Sequence, residues 1–274
     1  MNDLLEKVHK VQLEMALEVK RICEKHDIQY SIIAGTLLGA VRHKGFIPWD
    51  DDLDIGMMRD EYERFLQICN LELNPSYFLQ TWETDPHFAL PIAKIRKKGT
   101  KFVEKNSANS NLHSGIYIDI FPFDNVPNNN IKKKLQTILA YVLKRILLIK
   151  MNYKVYQDGD FLKKYFYALL KFASYAIDVR LIKKYLNETM KLSNKNNSSK
   201  IVTFGGAYGY QKESIERDWL ENLRDIDFEN EKFLAPIRCE QYLTYFYGDY
   251  LTPPPERQRL NRHNIVEVSF EEEF

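Results

Sequence analysis

Asp50, Asp52 and Asp54 stand two apart within the run G-T-L-L-G-A-V-R-H-K-G-F-I-P-W-D-D-D-L-D-I-G-M-M-R, Gly35 to Arg59. In an extended chain alternate side chains face opposite ways, so these carboxylates share one face while Leu53 and Ile55 turn toward a core. Three like charges so close repel unless a cation neutralises them or water solvates them. Donors that are all oxygen suit a hard divalent ion, Mg²⁺ or Mn²⁺. An EF-hand loop would use the same alternating positions and end at Glu61, but its sixth position requires glycine and here holds Ile55. Pro48 and Trp49 also interrupt the entering helix of such a loop. A solvated acidic loop leaves the apolar alternation unexplained, so the metal reading is preferred.

A fourth carboxylate, Asp119, alternates with Ile118 and Ile120 in G-I-Y-I-D-I-F, the clearest strand in the chain. Burial there is costly unless the group meets a cation or several donors. It is therefore read as a ligand from a neighbouring strand, the competing role being a turn cap or an arginine partner. Lys94 and Arg96 share a face at the end of an expected strand, Leu90 to Arg96, and form either a phosphate clamp or a solvated sheet face. Gly35-Thr36 is read as a turn into a brief helix, Leu37 to Arg42, whose first amides could face a phosphate. Arg42, His43 and Lys44 follow, either to neutralise a phosphate or as solvated loop charges. Together these parts suit phosphoryl or nucleotidyl transfer: a metal bridges phosphate oxygens, amides hold the remainder, and Asp119 or Asp50 accepts the acceptor's proton.

The elements that would position these groups are an amphipathic helix over residues 3–26, a short strand from Tyr30 to Ala34, the acidic strand Asp52 to Met57 and a helix from Arg59 to Cys69. Strands follow at Tyr77 to Trp82, Leu90 to Arg96 and Gly115 to Phe121, with Lys97 to Asn111 a mobile loop between the last two. The chain has 274 residues and a formal net charge of +1, enough length for a sizeable core and no uniform basicity for nucleic acid. That balance is uneven: residues 131–200 hold sixteen Lys or Arg against four Asp or Glu. This region reads as a helical annex, one helix with Leu135, Ile138, Leu139, Val142, Leu143, Ile146 and Leu147 on a single stripe and a second from Leu162 to Leu186. It is either a hairpin with a solvated basic back or a surface for anionic headgroups. Lys191 to Lys200 is expected to be a flexible connector. F-G-G-A-Y-G-Y, within 201–210, is a weak glycine signal for close backbone approach. A hairpin at Phe228 to Pro236 and a helix at Cys239 to Tyr247 lead to a closing segment with Arg257, Arg259, Arg262 and His263. Three cysteines far apart form no disulfide framework. The opening residues lack a signal-peptide pattern, so the expected location is cytoplasmic, with peripheral contact at the inner membrane face.

The first run, A-K-I-R at Ala93 to Arg96, G-I-Y-I-D-I-F-P-F-D at Gly115 to Asp124 and Y-G-D-Y-L-T-P-P-P near the end together resemble the LicD family of phosphotransferases; fukutin-related proteins share the first motif. The resemblance runs from Tyr30 to His263. It implies an α/β (α+β) nucleotidyltransferase-like fold with a mixed sheet; charge and amphipathicity, not a family motif, set 131–200 apart as an insert in a catalytic core over 1–130 and 201–274. It also implies transfer of phosphocholine from CDP-choline to a hydroxyl of a glycan, in teichoic acid, lipopolysaccharide or capsule precursor, with CMP leaving. Carried over, Asp52, Asp54 and Asp119 are catalytic, and Asp50, Asp52, Asp54 and Asp119 hold Mg²⁺ or Mn²⁺. Gly35, Thr36, Arg42, His43, Lys94 and Arg96 serve the nucleotide; Asp51 receives no role. The expected partners are a CDP-alcohol donor, a lipid-linked glycan acceptor and an anionic membrane. Rival readings are a nucleotidyltransferase that adds NMP to a small molecule and a non-catalytic membrane-peripheral scaffold.

Overall fold

The computed structural model describes residues 2–154, 161–259 and 265–270. Helix α1 (Asn2–His26) buries Met15, Val19, Ile22 and Cys23 along one stripe, and Asp27, at φ +52, ends it. There follow β1 (Ser31–Ile32), α2 (Ala34–His43), β2 (Asp54–Met58), α3 (Arg59–Glu72), β3 (Tyr77–Gln80), β4 (Ala93–Lys97), β5 (Lys101–Glu104) and β6 (Tyr117–Asn125). The central sheet runs β1-β2-β6-β4-β3. Its β2 and β6 are parallel and its other neighbours antiparallel, which makes it the mixed α/β sheet expected.

Alternation divides this sheet by chemistry. Ile55, Ile95, Ile118 and Ile120 are fully buried on the face that α1 and α3 cover. The odd-numbered residues of β6 and the even-numbered residues of β4 carry the polar face. A buried pair fastens α3 to the sheet: Arg59 donates twice to Asp124, at 2.8 and 2.6 Å, and Asn194 donates to the same carboxylate at 2.6 Å.

The basic region forms α4 (Asn130–Lys150), α5 (Phe161–Ser174) and α6 (Val179–Met190). Two expectations are corrected here. The single helix foreseen from Leu162 to Leu186 is two, because Asp178 starts α6 by accepting from the Arg180 amide at 2.7 Å. The α4 stripe is also divided along its length. Leu143, Ile146 and Leu147 join a second apolar cluster with Ala89, Tyr153, Ile182 and Leu186, whereas Leu135, Ile138, Leu139 and Val142 are exposed.

Nor is the polar stretch before β7 (Lys200–Val202) a free connector. Asn194 accepts from the Asn125 amide at 2.8 Å, Asn125 donates to the Asn196 carbonyl at 2.8 Å, and Ser198 donates to the Val126 carbonyl at 2.7 Å. Strand β7 then pairs with the end of β6 and with β8 (Ser214–Glu216). After α7 (Asp218–Glu221), β9 (Leu223–Phe228) and β10 (Glu231–Pro236) form a hairpin that begins earlier than expected. Its turn residues Glu229 and Asn230 have φ +52 and +64, the left-handed pair a two-residue turn demands. Helix α8 (Cys239–Tyr247) matches its expected bounds. Part of the foreseen loop over 97–111 is strand β5, paired with β11 (Ile265–Ser269). Arg262 and His263 lie outside the described residues.

Candidate active site

Strand register assembles the first row of the site. Asp54 on β2 lies opposite Asp119 on β6, and Asp119 lies opposite Lys94 on β4. Paired residues point to the same side of a sheet, so one cation and two carboxylates stand abreast on the polar face. The Lys94 ammonium is 2.8 Å from Asp119 Oδ1 and 3.3 Å from the centre of the Tyr117 ring. In the next row Arg96 lies opposite Tyr117. Its guanidinium donates to Gln80 at 2.5 Å and to the Gly115 carbonyl at 2.6 Å, so it braces the scaffold beneath the row. Burial pulls its pKa below the ordinary arginine value, opposed by Tyr117 and Glu104.

The second part is the loop preceding β2. Asp50 and Asp52 reach the same cavity as Asp54 and Asp119 although β2 begins only at Asp54. Asp51 is fully buried, and α1 holds its backbone: Gln12 donates to the carbonyls of Asp51 at 2.8 Å and of Tyr117 at 3.1 Å, joining the loop to β6. His9 bonds the Asp50 carbonyl at 2.8 Å and stacks on Phe46 at 4.1 Å. Burial depresses the His9 pKa, which favours the neutral ring with its N–H on that carbonyl. Carboxylate oxygens of Asp50, Asp51 and Asp52 lie within 4.8 Å of one another, a separation one ion could bridge.

The third part is the start of α2, where the structure revises the expected turn. The helix begins at Ala34, not Leu37, so Gly35 and Thr36 belong to its first turn. Ala34, at φ +49, swings the chain from β1 into the helix, and its amide donates to the Tyr242 hydroxyl at 3.2 Å. A Cβ on Gly35 would stand 2.5 Å from Asp50 Oδ2, so the first turn of α2 approaches this carboxylate closely and any larger residue would have to displace it. Thr36 is buried and accepts from the Asp54 amide at 2.8 Å, which fixes the first residue of β2.

The cavity in front of the row has a volume of about 530 Å³, within the usual range of ligand sites. Gly35, Asp50, Asp52, Asp54, Lys94, Arg96 and Asp119 line it; Thr36, Arg42 and His43 do not. Arg42 donates instead to His43 at 2.9 Å and to the Tyr250 carbonyl at 2.9 Å, holding the C-terminal segment. Burial, then the neighbouring Arg42, lowers the His43 pKa. A second cleft, about 580 Å³, opens between α3 and α6 around Tyr62, Trp82 and Lys183; it contains none of these aspartates.

The wall facing the aspartates is the part that residue spacing did not reveal. It comprises Thr203, Gly205, Gly206 and Tyr208, then Glu213, and Tyr242, Phe246 and Tyr247 from α8. The glycines of F-G-G-A-Y-G-Y were its one visible signal. A Cβ at Gly205 would strike Ile92 and Phe121, and one at Gly206 would strike the Glu213 carboxyl group.

Residues 27–144 match the family described as LicD/FKTN/FKRP, nucleotidyltransferase domain. The chain is 29% identical over 249 residues to the lipopolysaccharide cholinephosphotransferase LicD of Haemophilus influenzae, covering 88% of this chain and 89% of that protein. It is 47% identical over 97 residues to an uncharacterised protein of Rickettsia prowazekii, 34% of this chain and 36% of that one. It is 28% identical over 123 residues to the ribitol 5-phosphate transferase FKRP of Mus musculus, 44% of this chain and 22% of that protein. The matched residues 27–144 carry all four cavity aspartates and Lys94, while the aromatic wall lies beyond them.

Proposed function

We propose that this chain, whose residues 27–144 match the LicD/FKTN/FKRP nucleotidyltransferase domain, is a LicD-type phosphotransferase that moves phosphocholine from CDP-choline to a hydroxyl of a cell-surface glycan, releasing CMP. The observation that carries this reading is the row Asp54, Asp119 and Lys94 sharing one cavity with Asp50 and Asp52. The donors suit a divalent ion in kind, being hard oxygens: Asp50 and Asp52 belong with Asp51 to a group whose oxygens lie within 4.8 Å of one another, and Asp54 and Asp119, opposite each other across β2 and β6, line the same cavity. Asp50, Asp52, Asp54 and Asp119 would hold Mg²⁺ or Mn²⁺. Such an ion, when bound, neutralises phosphate charge and steadies the leaving group.

The remaining work falls to the chain. Gly35 lets the first turn of α2 approach the cavity, where its amides receive phosphate oxygens. Lys94 offsets charge beside Asp119. A cavity carboxylate takes the proton from the acceptor hydroxyl as that oxygen bonds to the β-phosphorus; the bond from this phosphorus to the bridging oxygen breaks, and the electron pair leaves with CMP. A screen of CDP-alcohols read by CMP release tests the proposal. Asp52→Asn and Asp54→Asn should each abolish release while circular dichroism stays unchanged; near-normal metal-dependent turnover in either overturns it. Phosphorus labels separate the nucleotidyltransferase rival: the β-label reaches the acceptor in phosphocholine transfer, the α-label in NMP transfer.

The acceptor in this reading is lipid-linked and the enzyme rests on an anionic membrane. Among the described residues no helix is long and apolar enough to cross one. Support for surface contact comes from Ile131, Leu135, Ile138 and Val142 on α4 and from Tyr165, Leu169 and Phe172 on α5, all exposed within the segment of strong positive charge. Flotation with anionic vesicles at low salt should carry the protein upward, and Leu135→Glu with Ile138→Glu should abolish this without changing CMP release from soluble substrates. Failure of the unaltered protein to float removes the membrane element.

A further inference from the structure

Glu213 presents an electrostatic problem that the catalytic reading leaves open. It is only 6% exposed, yet among the described residues no lysine, arginine or histidine pairs with it. Lys144, the nearest candidate by charge, donates instead to the Phe204 carbonyl at 2.7 Å. One Glu213 oxygen accepts from the Tyr208 amide at 2.9 Å. A buried carboxylate with a single neutral donor is unfavourable: burial raises its pKa, and the Tyr208 amide with the charges of Lys144 and Lys212 offsets only part of that rise. A ligand cation would relieve that cost.

The surroundings select the kind of cation. Tyr208, Tyr242, Phe246 and Tyr247 line the cavity beside Glu213, and they pack as one group: the Phe246 ring is 5.8 Å from that of Tyr208, 4.8 Å from that of Tyr242 and 6.2 Å from that of Tyr247. Aromatic faces attract a cation that has no hydrogen to donate, and the carboxylate adds charge without needing a hydrogen bond. The Tyr242 hydroxyl accepts from Ala34, next to Gly35, so this wall continues into the end of the cavity that holds Asp50 and Asp54. A donor could therefore lay its diphosphate at the aspartates and its alcohol against the rings.

We propose that Glu213 with Tyr208, Tyr242, Phe246 and Tyr247 forms the subsite that recognises a quaternary ammonium head group and selects it over a neutral alcohol. The inference rests on the phospho-alcohol reading above and names residues for its head group. A purely structural alternative exists, since the Glu213 amide donates to the Gly209 carbonyl at 2.9 Å and its carboxylate closes the same turn. Glu213→Gln separates the two, because the amide oxygen still accepts from Tyr208 while the charge is gone. Tyr208→Leu is the second variant, chosen because Tyr208 is 43% exposed and outside the core.

The test is isothermal titration with CDP-choline and with CDP-glycerol, in Mg²⁺ and without acceptor. The unaltered protein should bind CDP-choline about tenfold more tightly or better, and each variant should lose that preference with its affinity for CDP-glycerol unchanged. No preference in the unaltered protein, full preference in Glu213→Gln, or an equal loss for both ligands overturns the proposal. Binding needs no turnover, so a protein that prefers CDP-choline yet releases no CMP would sink the catalytic reading and leave this subsite standing. Normal CMP release with selectivity intact in Glu213→Gln would do the reverse.

Discussion

Gly35→Ala separates the site from the fold. The added Cβ would stand 2.5 Å from Asp50 Oδ2, and ordinary contact begins at 3.4 Å, so one of the two must yield by about 1 Å. The carboxylate is the far end of a flexible side chain and yields first. The backbone cost is small or favourable: Gly35 lies in the first turn of α2, where alanine is preferred to glycine by up to about 1 kcal/mol. Thermal melting should therefore stay within a few degrees of the unaltered protein, while a group displaced by about 1 Å at a reacting centre lowers kcat by about a hundredfold. Steady-state CMP release, a melting curve and Mn²⁺ binding followed by electron paramagnetic resonance read the three quantities. In an Asp50→Ala background the methyl has no carboxylate to displace, so the second substitution should add little to the first. Activity within threefold of the unaltered protein, or a loss that merely tracks unfolding, would refute the reasoning.

Thr36→Val removes the acceptor of the buried Asp54 amide and should lower stability to urea by about 1–3 kcal/mol, whereas Thr36→Ser keeps the hydroxyl and should lose much less. Lys94→Met leaves Asp119 without its buried cationic partner, a loss of about 3–5 kcal/mol, and added Mn²⁺ should raise the melting temperature more in this variant than in the unaltered protein. Acidification should destabilise the chain through His9, His43 and His113, whose pKa values burial depresses below the ordinary 6.5. The neutral rings contribute fully above 6.5, and stability falls as pH drops below that value toward the lower folded pKa, because the unfolded chain then binds more protons. Melting curves from pH 8 to pH 5 should show this slope, and His9→Gln should reduce it; a flat profile would contradict the burial argument.

The aspartates were legible because two separate periodicities pointed to them. Alternation placed Asp52 and Asp54 on one face, and a carboxylate amid isoleucines marked Asp119. What alternation cannot convey is register, and it is register that sets Asp54, Asp119 and Lys94 abreast across three strands far apart in the chain. The same gap explains Arg96. Spacing put it on the face of Lys94, and that much holds, but Gln80 and the Gly115 carbonyl that engage it come from other segments. The resemblance assigns Thr36 to the nucleotide, while its hydroxyl meets the amide of Asp54 across a helix-to-strand contact that no local pattern announces. By contrast the break between α5 and α6 was readable in principle, since Asp178 two residues before Arg180 is an ordinary helix-start signal that the apolar stripe overshadowed.

The division between the two cavity walls bears on how such an enzyme changes its substrate. Every group that the proposed reading puts at the phosphates lies in residues 27–144, where the sequence already marked it as a candidate, because charge next to a diphosphate admits few residue types. The facing wall comes from residues 203–247 and is built of tyrosine, phenylalanine, glycine, one threonine, one alanine and one glutamate, types that fill cores and turns everywhere. Tyr242 shows how the halves are joined: its ring packs on Phe246 in that wall while its hydroxyl accepts from Ala34 at the edge of the aspartate site. On the subsite proposal, a change at Glu213 or Tyr208 would alter the head group chosen while the row on β2, β6 and β4 keeps its geometry, since among the described residues no hydrogen bond of Glu213 or Tyr208 reaches that row.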